Sequence, residues 1–335
     1  MNTQKFAPIG YSLLLLGLIA APFIGAYPVF VMKLLCFALF AAAFNLLLGY
    51  TGLLSFGHAA FLGGSAYIAG HAMKVWGLTP ELGLLAGTLC GAFLGWVMGA
   101  LTIRRQGIYA TMITLALAQM VYFAALQMKF TGGEDGLQGV PRGKLFGLVD
   151  LRDDLTMYYV TLVITVAGFL LIMRTIHSPF GQVLRGIKEN EPRAISLGYD
   201  TDRFKLLAFV ISAALSGLAG SLKTLVMGFA SLSDVHWTMS GNVVLMALVG
   251  GMSTLSGPLV GATVIELLEN KIGDFGAWLA DVTSIEWFGT IGDSVTIVTG
   301  LIFIVCVLLF RRGIMGELVA WVERRRSGSG GASAP

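Results

Sequence analysis

Few side chains in this 335-residue sequence could do chemistry within its apolar stretches. His58 and His71 share one run, thirteen residues apart, with no acid or cysteine spaced to complete a metal site. Glu266 and Glu269 stand in another run, three residues apart and so on one face of a helix. Two readings are open for them: they reach water at the outer end of a short span, or they form a proton or ion relay together with His58. Asn45, Ser55, Thr114 and Gln119 contribute hydrogen-bonding groups. Cys36, Cys90 and Cys306 lie singly, with no CxxC, and read as packing residues. The sequence contains no GxxxxGK followed by Ser or Thr, no HExxH and no Gly-rich dinucleotide fingerprint. The chain is therefore expected to be no enzyme, and to bind neither metal nor cofactor itself. A membrane enzyme built on His58 and His71 is the competing reading, and it requires a bound metal.

These groups must be positioned by helices in a bilayer. Hydrophobic residues make up 56% of the chain and charged residues 12%, against about 25% charged in soluble domains. No Asp, Glu, Lys or Arg occurs between Lys33 and Lys74, between Arg105 and Lys129, or between Asp234 and Glu266. Each gap holds at least one span of about 20 residues. The fold class is thus an all-α, polytopic transmembrane bundle of about ten spans, within a range of eight to ten. Helices are expected at residues 8–26, 28–49, 53–73, 81–103, 107–127, 155–173, 206–229 and 240–253. A short span at Gly257–Lys271 and a last one at 294–310 complete the set. The first apolar run exceeds a signal-peptide core and reads as a retained helix. Residues 1–312 form the transmembrane domain, and 313–335 an amphipathic surface helix running into a disordered tail.

With the N-terminus in the cytoplasm, fourteen of the 22 basic residues fall inside, among them Arg104, Arg105, Arg185, Arg193 and Arg311. Both termini are then cytoplasmic, which requires an even number of crossings and makes Gly257–Lys271 a span. Lys33 and Lys223 fall near outer ends and are expected to snorkel. The net charge of +3 is small and sits at the membrane edges, so nucleic-acid binding has no support. Residues 128–155 form an external loop, in which Glu134, Asp135, Asp153 and Asp154 are candidates for docking a basic partner surface. Residues 174–205 are internal and fold as a short helix pair, with Val183, Leu184, Ile187, Ala194, Ile195 and Leu197 on an apolar face and a break at Pro192.

Packing is legible as stripes. Gly83, Gly87, Gly91, Gly95 and Gly99 recur every fourth residue, so a neighbouring helix must approach closely there. Ala208, Ser212, Ser216 and Gly220 repeat the device, as do Ala59, Gly63, Ala66 and Gly70. Gly52, Gly57, Gly63 and Gly64 interrupt the third span, and a broken helix is tolerated where it lines a cavity. Asn45, Ser55, His58, Thr114 and Gln119 are the candidate lining of such a path.

Five segments resemble LivM-type permeases of branched-chain amino acid ABC importers: Gly49–Phe61 (GYTGLLSFGHAAF), Gly107–Gln119, Thr131–Leu137 (TGGEDGL), Arg185–Gly198 (RGIKENEPRAISLG) and Gly250–Pro258. The resemblance spans about Gly49 to Gly261. It implies a bacterial inner-membrane subunit that pairs with a LivH-type second permease and two cytoplasmic ATP-binding subunits. A periplasmic solute-binding protein would complete the assembly, with ATP and Mg on the partners. It further implies a coupling helix of pattern Glu-Ala-Ala, three residues, Gly. Ala194 and Gly198 match its last Ala and its Gly, while Pro192 stands in the Glu place. Arg185, Glu189, Glu191, Arg193, Ala194 and Gly198 are the expected coupling set. Branched-chain or hydrophobic amino acids are the first expectation for the solute. Urea, amides, aromatic acids and other small carboxylates are carried by related permeases, and a stand-alone secondary transporter is the other alternative.

Overall fold

The computed structural model describes residues 15–25, 27–105, 107–252, 254, 256–283, 300, 301, 304, 308 and 313–317. Residues 15–20 are helical and run into a 3-10 turn at Ala21–Ile24. Ten helices follow: α1 Pro28–Thr51, α2 His58–Lys74, α3 Pro80–Thr102, α4 Ile108–Gln127, α5 Asp154–His177, α6 Pro179–Glu189, α7 Glu191–Ser196, α8 Thr201–Met227, α9 Trp237–Gly250 and α10 Gly257–Thr283. Five of them, α1, α3, α4, α5 and α8, are long and apolar enough to cross a membrane. The first and last expected spans and the C-terminal tail lie largely outside the described residues.

Local chemistry sets the ends. Pro28, Pro80 and Pro179 occupy first-turn positions, where no backbone donor is needed. Ser178, Asn190 and Asp200 accept hydrogen bonds from the first turns of α6, α7 and α8. Gly52 (φ 74°) and Gly228 (φ 75°) close α1 and α8 in the left-handed conformation.

α1 is buried along most of its length and is the centre of the bundle, with α5, α8, α9 and α10 against it. The α3 glycine stripe meets α8: a Cβ on Gly91 would lie 2.7 Å from the Ala213 carbonyl oxygen and 3.0 Å from Gly217 Cα. Gly87, Gly95 and Gly99 face Ser221, Ala213 and Leu206 of the same helix. On another side of α8, Gly220 packs against the Leu62 backbone of α2. α8 is therefore clasped by α2 and α3 through two separate small-residue faces.

Loops gather at two opposite ends. One end holds α6, α7 and the segment after α3, where Ile103 packs with Phe180, Leu184 and Phe204. The other holds 128–153, tied to α2 where Lys74 Nζ donates to the Gln138 carbonyl at 2.7 Å. The 128–155 loop carries a small antiparallel hairpin, Lys144–Leu145 with Val149–Asp150, on an otherwise all-α bundle. Phe146 (φ 50°) and Gly147 (φ 72°) give it the doubly positive turn that matches strand twist. One expectation changes here: the stretch from Gly257 is not short, because α10 has 27 residues, about 40 Å at 1.5 Å per residue.

Candidate functional site

The third span is broken only at its start: after Gly52 the chain is non-helical until α2 begins at His58, and α2 then runs uninterrupted through Gly63 and Gly64, contrary to the expected break there. Side chains from other elements satisfy several backbone groups of the non-helical stretch. Phe56 N–H donates to Thr114 Oγ1 of α4 at 3.1 Å, and Ser240 Oγ of α9 donates to the Phe56 carbonyl at 2.7 Å. The same Ser240 oxygen accepts from Ala59 N–H at 2.8 Å, and Ser55 Oγ accepts from Gly57 N–H at 3.1 Å. An open backbone is stable inside a bilayer only when its groups are paired in this way. Ser240 was not legible as a site residue, because serine in an apolar helix looks the same whether it packs or caps.

His58 opens α2 inside a box of rings, with Phe44 at 4.9 Å and Phe61 at 5.3 Å between centroids. Ser212 Oγ donates to the Ala43 carbonyl at 2.6 Å, so its oxygen accepts from His58 Nε2–H at 2.9 Å. That assignment leaves Nδ1 unprotonated, and it has no partner among the described residues. Ser55, His58 and Thr114 thus come together at the break, engaged with protein groups. Asn45 is buried close by and donates to the Thr254 carbonyl at 3.0 Å, tying α1 to the α9–α10 turn. Gln119 does not join them: five residues beyond Thr114, it falls on a different face of α4.

Charge is placed differently from the sequence expectation. Glu266 does not reach water: it is 1% exposed. The Lys33 ammonium lies 2.8 Å from Glu266 Oε2, an ion pair too oblique to count as a hydrogen bond. Lys223 does not snorkel to the surface; it is buried and paired with Asp234, itself 2% exposed, in the turn that leads to α9. The Phe37 ring lies between the two cations, 5.5 Å from Lys33 Nζ and 5.4 Å from Lys223 Nζ. Glu269, half-buried, accepts from Asn242 Nδ2 at 3.4 Å. The signal for this network was the isolation of two cations and two anions at the margins of uncharged runs. Which one pairs with which is a tertiary fact.

The α6–α7 segment has the expected helix pair, with a modified apolar face. Leu184, Ile187 and Ala194 are buried against the bundle, whereas Ile195 (56%) and Leu197 (69%) are exposed beside Tyr199. Within the expected coupling set, Arg185, Glu189, Arg193 and Gly198 are exposed. Arg185 lies over the Tyr50 ring at 5.3 Å. Glu191 pairs with buried Lys205, and Ala194 is buried, so these two anchor the segment to α8. Gly198 (φ 89°) turns the chain toward α8.

In the opposite loop, Glu134 and Asp135 are exposed on a 3-10 turn. Asp154 pairs with Arg142 at 2.6 Å. Asp153 caps α5, and the Thr156 hydroxyl and amide hold its carboxyl below the usual carboxylate range. Stability from that cap is present above the unfolded-chain value and is lost as pH falls through the lower folded value.

A family model described as "Branched-chain amino acid transport system / permease component" matches residues 29–310. The high-affinity branched-chain amino acid transport system permease protein LivM of Escherichia coli (strain K12) is 28% identical over 262 residues, covering 70% of this chain and 60% of its own. A probable branched-chain amino acid transport permease protein LivH of Methanocaldococcus jannaschii is 26% identical over 283 residues, covering 78% and 82%. The ribose import permease protein RbsC of Haemophilus influenzae is 25% identical over 211 residues, covering 60% of each chain. The chain thus spans about 60% of the length of the LivM relative. No solved structure matches it.

Proposed function

Because this chain belongs to the family of branched-chain amino acid transport system permease components, we propose that it is the membrane-spanning subunit of an ATP-driven importer. In this reading it moves branched-chain or other hydrophobic amino acids, or a related small solute, inward by alternating access. Urea, amides, and aromatic or other carboxylates are the solutes to compare, since one relative carries the name of a ribose permease. It works with a LivH-type second permease, two cytoplasmic ATP-binding subunits that hold ATP and Mg, and a periplasmic solute-binding protein. The bundle has about ten crossings with both termini cytoplasmic in a bacterial inner membrane; the length of α10, ample for a core of about 30 Å, supports the even count.

The observation that carries this reading is the α6–α7 segment. Leu184, Ile187 and Ala194 fix it to the bundle, while Arg193, Ile195, Leu197 and Tyr199 are exposed among the described residues. A rigid apolar knob ringed by charge is the surface a partner grips. ATP binding that favours one arrangement of the partner then biases the helices to which the knob is attached. At the other end, Glu134 and Asp135 offer acidic contacts for the solute-binding protein. Ser55, His58, Thr114 and Asn45 shape the wall of the path from behind by fixing the break.

Arg193→Glu with Ile195→Asp tests the assignment in proteoliposomes of the full complex. Losing a central contact of about 2 kcal/mol weakens docking about 30-fold. The expected result is that insertion and thermal unfolding hold while uptake collapses and ATP hydrolysis no longer responds to solute. Normal coupled uptake removes the assignment. Uptake that persists without the ATP-binding subunits and follows a proton gradient replaces it with a secondary transporter.

A further inference from the structure

α9 has 14 residues, about 21 Å at 1.5 Å per residue, too short for a core of about 30 Å. It begins inside the bilayer. The chain leaves α8 at Gly228, pairs Ala230 with Leu137 in the outer loop, then dips until the Val235 backbone packs on Gly63. Gly63 lies eleven residues before the outer end of α2, about 16 Å deep. Trp237 and Thr238 therefore open α9 at membrane depth, and both are exposed, Trp237 by 42%.

The groups there are polar. His236 Nδ1 receives the Thr238 hydroxyl at 2.9 Å and its amide at 3.4 Å, which leaves Nε2–H as the ring's donor. The His236 ring meets Tyr122 edge-on at 5.2 Å, and Gln119 lies half-buried one turn earlier on α4, its amide without a hydrogen bond among the described residues. Hydrocarbon does not tolerate such a face. One turn beyond Thr238, a Cβ on Gly241 would meet no atom of another element within 4 Å among the described residues. Its environment is the opposite of the α3 glycines, whose missing side chains are filled by α8.

We propose that Gln119, Tyr122, His236, Trp237, Thr238 and Gly241 line the solute path at mid-membrane, where they offer donors, acceptors and an aromatic wall to a small polar solute. This rests on the permease reading. A water-filled, solute-sized passage satisfies the amide, imidazole and hydroxyl in turn, and the bare Gly241 keeps it wide. A close-packed partner helix would instead need the small-residue interdigitation found between α3 and α8.

The test uses the assembled complex in native membranes, with Cys36, Cys90 and Cys306 replaced by Ala and a single cysteine introduced. The probe is a membrane-impermeant quaternary-ammonium methanethiosulfonate. Thr238→Cys is expected to react at least about tenfold faster than Leu89→Cys, on the exposed apolar face of α3, because only a hydrated thiol ionises. Equal rates overturn the inference, since the face would then be covered by lipid or protein. Gly241→Leu is expected to insert and unfold like the parent while uptake drops at least about tenfold; undiminished uptake overturns the assignment. Labelling needs no transport. A reactive Thr238→Cys in a complex whose uptake ignores ATP keeps the lining and removes the ATP-driven reading.

Discussion

Asp234→Ala is expected to destabilise the protein by about 3–5 kcal/mol, because it strands the Lys223 ammonium in a site where it is 8% exposed. The carboxylate is the ion-pair partner of Lys223, and the neighbouring Phe37 face supplies only a cation–π contact worth about 1–2 kcal/mol. Two features distinguish this outcome from ordinary packing loss. The double variant Asp234→Ala with Lys223→Met should recover most of the stability, since replacing a buried pair by apolar groups is often neutral or better. Asp234→Asn should fall between, keeping an acceptor without the charge. Unfolding midpoints in detergent micelles measure all three. A double variant no more stable than Asp234→Ala would mean that the turn, not the charge pair, sets the effect. Transport by the double variant separates a structural pair from one that must open during the cycle.

Gly91→Leu is the second large effect, expected to abolish assembly of the bundle or to cost about 3 kcal/mol or more. Its Cβ would sit 2.7 Å from the Ala213 carbonyl oxygen and 3.0 Å from Gly217 Cα. Both are backbone atoms of α8, so no rotamer change relieves the contact, and the helices must part along the stripe. Separating them also loses the contact at Gly87 and Gly95, because a rigid helix cannot yield at one turn alone. Leu89→Ala, two residues away on the exposed face, is the control and should change stability by less than about 0.5 kcal/mol. Membrane yield and thermal unfolding report both. A Gly91→Leu protein with the parent's midpoint would show that the stripe does not bear on α8.

Much of the helical layout could be read from residue order, for specific reasons. Charge-free gaps marked α1, α4 and α9 because nothing but helix satisfies the backbone in hydrocarbon. The every-fourth glycine of α3 announced a close neighbour without naming it; α8 was identifiable only once the chain was folded. The break before His58 was visible in Gly52 and Gly57, whereas its fasteners, Thr114 and Ser240, come from helices 58 and 181 residues away. Lys223 and Glu266 were misplaced because each was set at the nearest membrane edge, and burial in pairs depends on which helices touch. Gln119 was grouped with Thr114 from its residue type, although their spacing on α4 sets them on different faces. The short α9 was a length in plain view. Its meaning as a half-crossing appears only when Val235 is seen against Gly63.

The start of the break after α1 is tied to α6. Lys188 of α6 donates to the Gly49 carbonyl at 2.6 Å, and its stem passes 3.3 Å from where a Cβ of Gly52 would be. Gly52 is the left-handed cap that follows the last helical residue, Thr51. The tether thus joins the outward knob to the one point along α1 and α2 where the backbone has no ladder to resist bending. Any displacement of α6 would therefore load a joint rather than a rod, one that Ser240 and Thr114 hold on its far side.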